Sequence, residues 1–246
     1  MKKFLSITIL CALVLTVCAQ TATNCPATVS DYDGNVYKTI LIGSQCWTKE
    51  NLKSAHYSNG ESIALCAAES SYFDGIMQRT YRFYPGFDRN FFEKYGYLYS
   101  FKAATHGKTD AKPTDKIQGV CPKGWHIPNY DEVLELTDYI ENSDNLKCGG
   151  NCNFIAKALA STSGWNGSTQ DCAPGNDMSL NDATGFSAMP AGISCSKVGD
   201  VASFWTSEPY VMDFAYTFAV SANGKRITLS SGPYAYIASS VRCIKD

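Results

Sequence analysis

The chain has 246 residues and a formal net charge of -2, from 21 basic and 23 acidic residues. This balance argues against a nucleic-acid-binding protein, which normally carries a basic stripe, and against electrostatic docking on anionic lipid. The length is enough for one large domain, and no linker-like stretch or charge run divides the sequence.

The N-terminal residues have the composition of an export signal. Residues 1–19 begin with two lysines after the methionine, continue with an apolar run, and end in a small-x-small cleavage site at Ala19. An alternative is lipid attachment at Cys18, although Val17 departs from the small residue that usually precedes a lipidated cysteine. No later apolar run is long enough to span a bilayer. We therefore expect a secreted or outer-surface protein without a transmembrane segment, released after Ala19 or anchored through Cys18.

The first predicted element after the signal is a strand. Residues 20–30 are expected to form a short tether, and residues 31–246 a single domain. A turn is predicted around Gly34, where glycine, aspartate and asparagine cluster. Residues 36–42 then alternate in the manner of a strand and are rich in β-branched and aromatic side chains.

The clearest helix signal follows a turn at residues 121–128, which contains two prolines, a glycine, a tryptophan and a histidine. Asn129 is a good N-cap residue, and Glu132 stands three residues later, where its side chain completes a capping box. The turn is therefore expected to lead into an amphipathic helix that packs on the core. Its buried face, at the i, i+3, i+4 and i+7 spacing, comprises Val133, Leu136, Thr137 and Ile140.

Weaker patterns predict the remaining elements. Two further helices are expected, at residues 100–104 and 153–161. Asn223 and Gly224 form a two-residue hairpin signal between alternating segments. Strands are accordingly predicted at 214–220, 226–230 and 236–244.

Nine cysteines follow the signal segment, and in an exported chain they indicate disulfides. Because nine is odd, at least one cysteine must stay outside intramolecular pairs. Three cysteines lie in the long polar loop at residues 142–182, and we therefore expect disulfide bonds to hold this loop in place. The Cys148–Cys152 spacing is tolerable for zinc, but no CxxC pair or nearby histidine supports a site, so we expect no metal and no cofactor.

Six motifs, taken together and in order, resemble the Fibrobacter succinogenes major paralogous domain, a family of exported bacterial proteins. The most specific one is Cys-Pro-x-Gly-Trp-His-Ile-Pro at residues 121–128. The resemblance covers residues 25–246. The motifs lie at residues 33–52, 95–104, 121–128, 185–192, 204–207 and 241–245.

The resemblance implies an α+β fold similar to C-type lectin domains. Such a domain has two or three helices, small twisted and mostly antiparallel sheets, and long disulfide-stapled loops. Cys121 and Cys243 both lie in family motifs and are expected to pair. Cys25 and Cys46 are the next expected pair, joining the tether to the first strand. No pairing is assigned to the other cysteines.

The favoured function is a binding module at the cell surface or outside the cell, with a glycan or a surface protein as its ligand. Trp165, in a glycine-rich loop, is the tryptophan best placed to contact a ligand, whereas the other three belong to fold motifs and are expected in the core. Further candidates come from the aromatic-rich stretch at residues 55–94: Tyr81, Tyr84 and Phe87.

The alternatives are an enzyme, namely a secreted glycan hydrolase, and a structural envelope protein. A hydrolase needs two carboxylates facing each other across a cleft, and the sequence does not single out such a pair. Asp131 and Glu132 are explained by helix capping, and His126 by a hydrogen bond that fixes its turn. The Asn and Asp oxygens of residues 176–182 would suit calcium, but Asn and Asp in a loop more often serve turn formation. We therefore expect no catalysis. An exposed aromatic patch would favour binding or assembly, whereas a deep polar cleft with two close carboxylates would favour the enzyme.

Overall fold

A computed structural model describes residues 24–66 and 80–246. The predicted export signal and Cys18 lie outside the described residues. Within them the helices are α1 (Phe92–Tyr95), α2 (Phe101–Ala104), α3 (Tyr130–Glu141) and α4 (Ala156–Leu159). The strands are β1 (Thr28–Ser30), β2 (Val36–Ile42), β3 (Gln45–Thr48), β4 (Ala64–Cys66), β5 (Tyr81–Phe83), β6 (Leu98–Ser100), β7 (Trp125–His126), β8 (Val201–Pro209), β9 (Phe214–Ser221), β10 (Thr228–Pro233), β11 (Ala238–Ser239) and β12 (Ile244–Lys245).

The strands form three small sheets with the orders β1-β2-β3-β12-β7, β10-β9-β8 and β11-β6-β5-β4. Within these sheets β4 and β5 are parallel, and every other neighbouring pair is antiparallel. This arrangement confirms the α+β class with few helices and small, mostly antiparallel sheets. None of the helices in the described residues is long and apolar enough to cross a membrane.

The predictions of α3 and α2 are confirmed. At the start of α3 the Asn129 side chain accepts a hydrogen bond from the Glu132 N–H, and Glu132 accepts one from the Asn129 N–H, which is the capping box. The predicted apolar face of α3 is buried. At the start of α2 the Ser100 hydroxyl caps the helix by accepting from the Ala103 N–H.

The three tryptophans in the family motifs, Trp47, Trp125 and Trp205, lie in the core beneath these elements. Trp47 and Trp205 are fully buried, and Trp125 is buried as well. Trp47 lies in one cluster with the buried face of α3, where Phe186 and Phe218 pack edge-on against its ring. Burial of large aromatic side chains of this kind dominates the stabilisation of a small domain.

Three disulfides join the chain in its described part. The structure links Cys25 to Cys46 and Cys121 to Cys243, the two pairs expected from the sequence. A third bond, between Cys148 and Cys172, closes the long polar loop. The last three residues of the predicted tether form β1, which pairs with β2, so this segment is part of the five-stranded sheet.

Several predicted bounds are wrong because tertiary contacts end the elements early. The helix predicted at 153–161 is limited to α4, since Ala160 turns extended and bridges to Ala188. The predicted two-residue hairpin is a longer turn, and its Lys225 carbonyl accepts a hydrogen bond from the Ala156 N–H. The strand predicted at 236–244 is split into β11 and β12, which lie in different sheets because Ser240 pairs with β8 between them.

Candidate functional site

The turn at residues 121–128 is a structural junction. The His126 side chain is buried, with 2% of its surface exposed. Its Nδ1 lies 2.7 Å from Asp246 Oδ1, and its Nε2 lies 2.8 Å from Glu132 Oε1. Both ring nitrogens are therefore occupied by carboxylates of the fold, and the histidine fixes the turn against β12 and α3.

A cavity of about 350 Å³ beside this junction is lined by Glu132, Glu135 and Asp246. Each of these carboxylates already has a protein partner. Glu132 accepts from the Asn129 N–H, Glu135 accepts from the Ser44 hydroxyl, and Asp246 contacts the buried histidine. These contacts position the first turns of α3, and they do not mark one carboxylate as an acid and another as a nucleophile.

The structure places Trp165 in the core, with 5% of its surface exposed. Its indole ring is therefore not accessible for stacking against a sugar ligand. Its Nε1 donates to the Ser161 carbonyl and hydroxyl oxygens, both at 3.1 Å. The glycine-rich loop folds inward because an indole ring gains more from burial, with its N–H satisfied, than from exposure.

The candidates Tyr81, Tyr84 and Phe87 are half-buried and do not form one surface. Tyr84 packs against Phe92 and Tyr97, at ring-centroid distances of 6.1 and 5.6 Å. Tyr81 and Phe87 lie against a different hydrophobic cluster. These rings therefore cover the edges of the core at separate places.

A lysine occupies the oxygen-rich turn at residues 176–182. Lys157 Nζ donates to the carbonyl oxygens of Asn176 and Asp177 and, at 3.1 Å, to Asn181 Oδ1. Lys157 is buried in the turn, and this burial lowers the pKa of its ammonium. Of the side-chain oxygens considered for calcium, Asn181 Oδ1 thus already binds a protein cation, and the carboxylates of Asp177 and Asp182 accept hydrogen bonds from the Ser179 and Ser187 hydroxyls.

The structure also shows an exposed apolar surface at the tip of the β8–β9 hairpin. Three consecutive tip residues are largely exposed: Tyr210 at 53%, Val211 at 51% and Met212 at 91%. Phe214, exposed by 38%, and two half-buried tyrosines join them, one of which lies at the start of α3. We call this surface the hairpin patch; it comprises Tyr130, Tyr210, Val211, Met212, Phe214 and Tyr216.

The rings of the hairpin patch are held against each other. The Tyr216 ring centroid lies 4.7 Å from that of Tyr130 and 5.0 Å from that of Tyr210. The tip is closed by a hydrogen bond of 2.7 Å from the Tyr210 N–H to the Phe214 carbonyl. Asp213 anchors it from below by accepting from the Tyr234 hydroxyl at 2.9 Å.

An irregularity in β8 connects the hairpin patch to the junction. The β8–β9 register shifts between Trp205 and Pro209, which redirects the strand. Within this bulge the Ser207 N–H donates to the Pro128 carbonyl at 2.8 Å, and Glu208 Oε2 accepts from the Tyr130 N–H at 2.7 Å. Burial raises the pKa of Glu208, and the nearby acidic residues of α3 raise it further.

Sequence reasoning missed the hairpin patch. The alternation of β9 placed Phe214 and Tyr216 on the same face as the buried Phe218, but both lie near the strand end, where that face is no longer covered. The available signal was the apolar run at residues 210–212, which only Asp213 separates from Phe214. A hairpin tip normally consists of polar turn residues.

The family comparison agrees with the motif order. The family model described as Fibrobacter succinogenes major domain matches residues 40–245. No curated protein and no solved structure matches the chain. The match includes the junction, both strands of the hairpin and β12. The chain belongs to the Fibrobacter succinogenes major domain family.

Proposed function

We propose that this protein is an exported binding module with a C-type-lectin-like fold and that the hairpin patch contacts its ligand. The observation that carries the proposal is the exposure of consecutive apolar residues at the hairpin tip, with Met212 exposed by 91%. Contiguous apolar surface is disfavoured on a protein without partners and is typical of interaction sites.

The construction of the patch supports a binding role. Tyrosine and methionine are enriched at interfaces, and tyrosine is frequent among the residues that dominate binding energy. The Tyr216 ring is packed between Tyr130 and Tyr210, and the tip is fastened through Asp213. Rings that are ordered before binding lose less conformational entropy on association.

The chemistry of the patch favours a surface protein as the ligand. Val211 and Met212 are aliphatic and project at the tip, and the tyrosine rings are tilted against each other by 50° and 64° rather than forming one flat platform. A glycan is the second candidate, because the carboxylate of Asp131, beside Tyr130 in the first turn of α3, would accept hydrogen bonds from sugar hydroxyls.

Export is supported by the signal-like N-terminal sequence together with the three disulfides. Disulfides form and persist in oxidising compartments and are rare in the cytosol. We accordingly propose that the chain acts at the outer cell surface or outside the cell, and that it carries out no catalysis.

The test compares wild-type protein with a Tyr210→Ser/Met212→Ser variant on a panel of purified surface proteins and immobilised glycans. We expect a saturable ligand for the wild type and a loss of affinity of about tenfold or more in the variant, since both side chains would be anchors. A Tyr32→Ser/Leu180→Ser variant is the matched control, because these residues are exposed by 60% and 66% but lie outside the patch.

Two results would contradict the proposal. One is equal binding by wild type and the patch variant, which would place the ligand elsewhere. The other is turnover of a glycan by the wild type without any saturable ligand on the panel, which would favour the hydrolase. Matching thermal midpoints of both variants ensure that altered binding does not reflect unfolding.

A further inference from the structure

A cleft elsewhere on the protein carries an excess of positive charge. It has a volume of about 320 Å³ and lies between the segment that follows β3 and the helix α1. We call it the lysine cleft. Its charged lining consists of four lysines and two glutamates: Lys38, Lys49, Lys53, Lys94, Glu50 and Glu93.

Most of these lysines have no carboxylate partner. Of these four lysines only Lys53 forms an ion pair within the described residues, with Glu93 at 3.0 Å. Lys94 Nζ lies 4.8 Å from the ring centroid of the tyrosine that follows it, a cation–π contact. The ammonium groups of Lys38 and Lys49 make no ion pair within the described part of the chain. Three cations therefore remain available to a ligand.

A buried cation beneath the cleft adds to this charge. Arg242 is fully buried, and its Nε donates to Asn51 Oδ1 at 2.8 Å, while Nη2 donates to the Ser187 carbonyl at 2.9 Å. Asn51 and Ser187 both line the cleft. The guanidinium has carbonyl and amide oxygens as partners and forms no ion pair in the described residues. Burial lowers the pKa of Arg242 to about 9, so it stays charged at neutral pH.

The carboxylates of the region do not cancel this charge. Glu50 and Asp182 act on the guanidinium only through longer-range attraction. Glu93 is engaged by Lys53, as described above. Five cations thus face three carboxylates. Charges that line a concave surface concentrate the field inside it and attract ligands of the opposite sign.

The floor of the cleft is rigid. Asn51 Nδ2 donates to the Tyr95 carbonyl at 2.9 Å and so joins the two walls. Gly96 has a φ of 72°, and a Cβ at this position would lie 2.6 Å from the Leu52 carbonyl oxygen. Only glycine permits this close approach of the two backbones. The lysines therefore project from a fixed frame.

We propose that the lysine cleft binds the anionic group of a sugar-sized ligand, namely a carboxylate, phosphate or sulfate on a monosaccharide unit. The volume is near the lower end of the range for small-molecule sites, roughly 300–1,000 Å³. An ammonium group is a compact charge that accepts any oxyanion geometry, so the site selects by charge. This site uses none of the residues of the hairpin patch, and its test is independent of that proposal.

The test is calorimetric titration of the mature protein at low ionic strength with glucuronate, glucose 6-phosphate, glucose 6-sulfate and glucose. We expect saturable binding of at least one charged sugar, no binding of glucose, and weaker binding as salt is added. The ranking of the three charged sugars identifies which anion the cleft prefers.

Two double variants separate the cleft from a general charge effect. Lys49→Gln/Lys94→Gln is expected to weaken binding of the charged sugar by about tenfold or more, because it removes two of the unpaired cations. Lys108→Gln/Lys123→Gln removes the same charge from exposed positions outside the cleft and is expected to change affinity by less than about twofold. Equal losses in both variants, equal binding of glucose and glucuronate, or no saturable binding of any charged sugar would overturn the proposal.

Discussion

Breaking the Cys121–Cys243 disulfide is expected to cost more stability than breaking the Cys148–Cys172 disulfide, because the Cys121–Cys243 bond closes the longer loop. In the chain-entropy model the cost grows with the length of the closed loop. For a sequence separation of 122 residues the model gives about 5 kcal/mol, and for 24 residues about 3.4 kcal/mol.

Two structural facts adjust this difference. The shorter loop lies inside the longer one, so the intact Cys148–Cys172 bond shortens the effective loop and lowers the larger value by only about 0.2 kcal/mol. Cys121 and Cys243 are buried in the core, whereas Cys148 and Cys172 are half-buried, so removing the first pair also leaves a larger packing defect. The expected difference is therefore about 1.3 kcal/mol or more.

The assay is equilibrium unfolding in urea under non-reducing conditions, followed by tryptophan fluorescence. It compares Cys121→Ala/Cys243→Ala with Cys148→Ala/Cys172→Ala, each in a Cys152→Ser background that removes the exposed thiol. The measurement is made at about pH 5, where the remaining thiols stay protonated and exchange slowly. The free energy of unfolding is expected to be lower in the first variant. The reasoning is refuted if the first variant is as stable as the second or more stable, since loop length would then not control the cost.

Three further predictions follow from single positions. Burial raises the Glu208 pKa in the folded protein, so stability should fall as pH rises from below the unfolded pKa of 4.5 through the raised folded pKa. Glu208→Gln should remove this decrease in urea midpoints measured across that range, and an unchanged pH profile in the variant would contradict the prediction. A thiol reagent should label the exposed Cys152 in the native protein but the buried Cys195 only after unfolding, because burial shields the Cys195 thiol and raises its pKa. Mass spectrometry of labelled peptides measures this difference, and rapid labelling of Cys195 in the native protein would contradict the packing. Gly96→Ala should destabilise the protein by roughly 2 kcal/mol or more. Gly34→Ala should destabilise it by only about 1 kcal/mol, because a Cβ at residue 34 meets nothing within 4 Å. Equal losses of thermal stability in the two variants would contradict the close backbone approach at residue 96.

Local signals were sufficient for the elements that depend on local chemistry. The capping box of Asn129 and Glu132 defined the start of α3, because both hydrogen bonds are made within the helix itself. The same holds for the Ser100 cap of α2 and the alternating strand β2. The cysteine pairs followed from the resemblance to a family rather than from spacing, because spacing alone leaves many connectivities open.

The candidate site depended on long-range contacts and was not predictable in the same way. Trp165 lies in a loop sequence that looks exposed, yet Ser161 satisfies its N–H inside the core. The hairpin patch exists because Glu208 and Ser207 tie the β8 bulge to the start of α3, a contact between positions far apart in sequence. Patterns within one segment do not report which neighbouring segment covers it.

The most direct test of the hairpin patch as the binding surface is nuclear magnetic resonance of the protein with carbon-13 in its tyrosine rings. The chain contains 15 tyrosines, so each ring signal is assignable by substitution. On adding the protein or glycan retained on the ligand panel, we predict that the ring signals of Tyr130, Tyr210 and Tyr216 shift while those of the buried Tyr37 and Tyr99 do not. Unchanged signals from the three patch tyrosines, with shifts at Tyr81 or Tyr84 instead, would contradict the account.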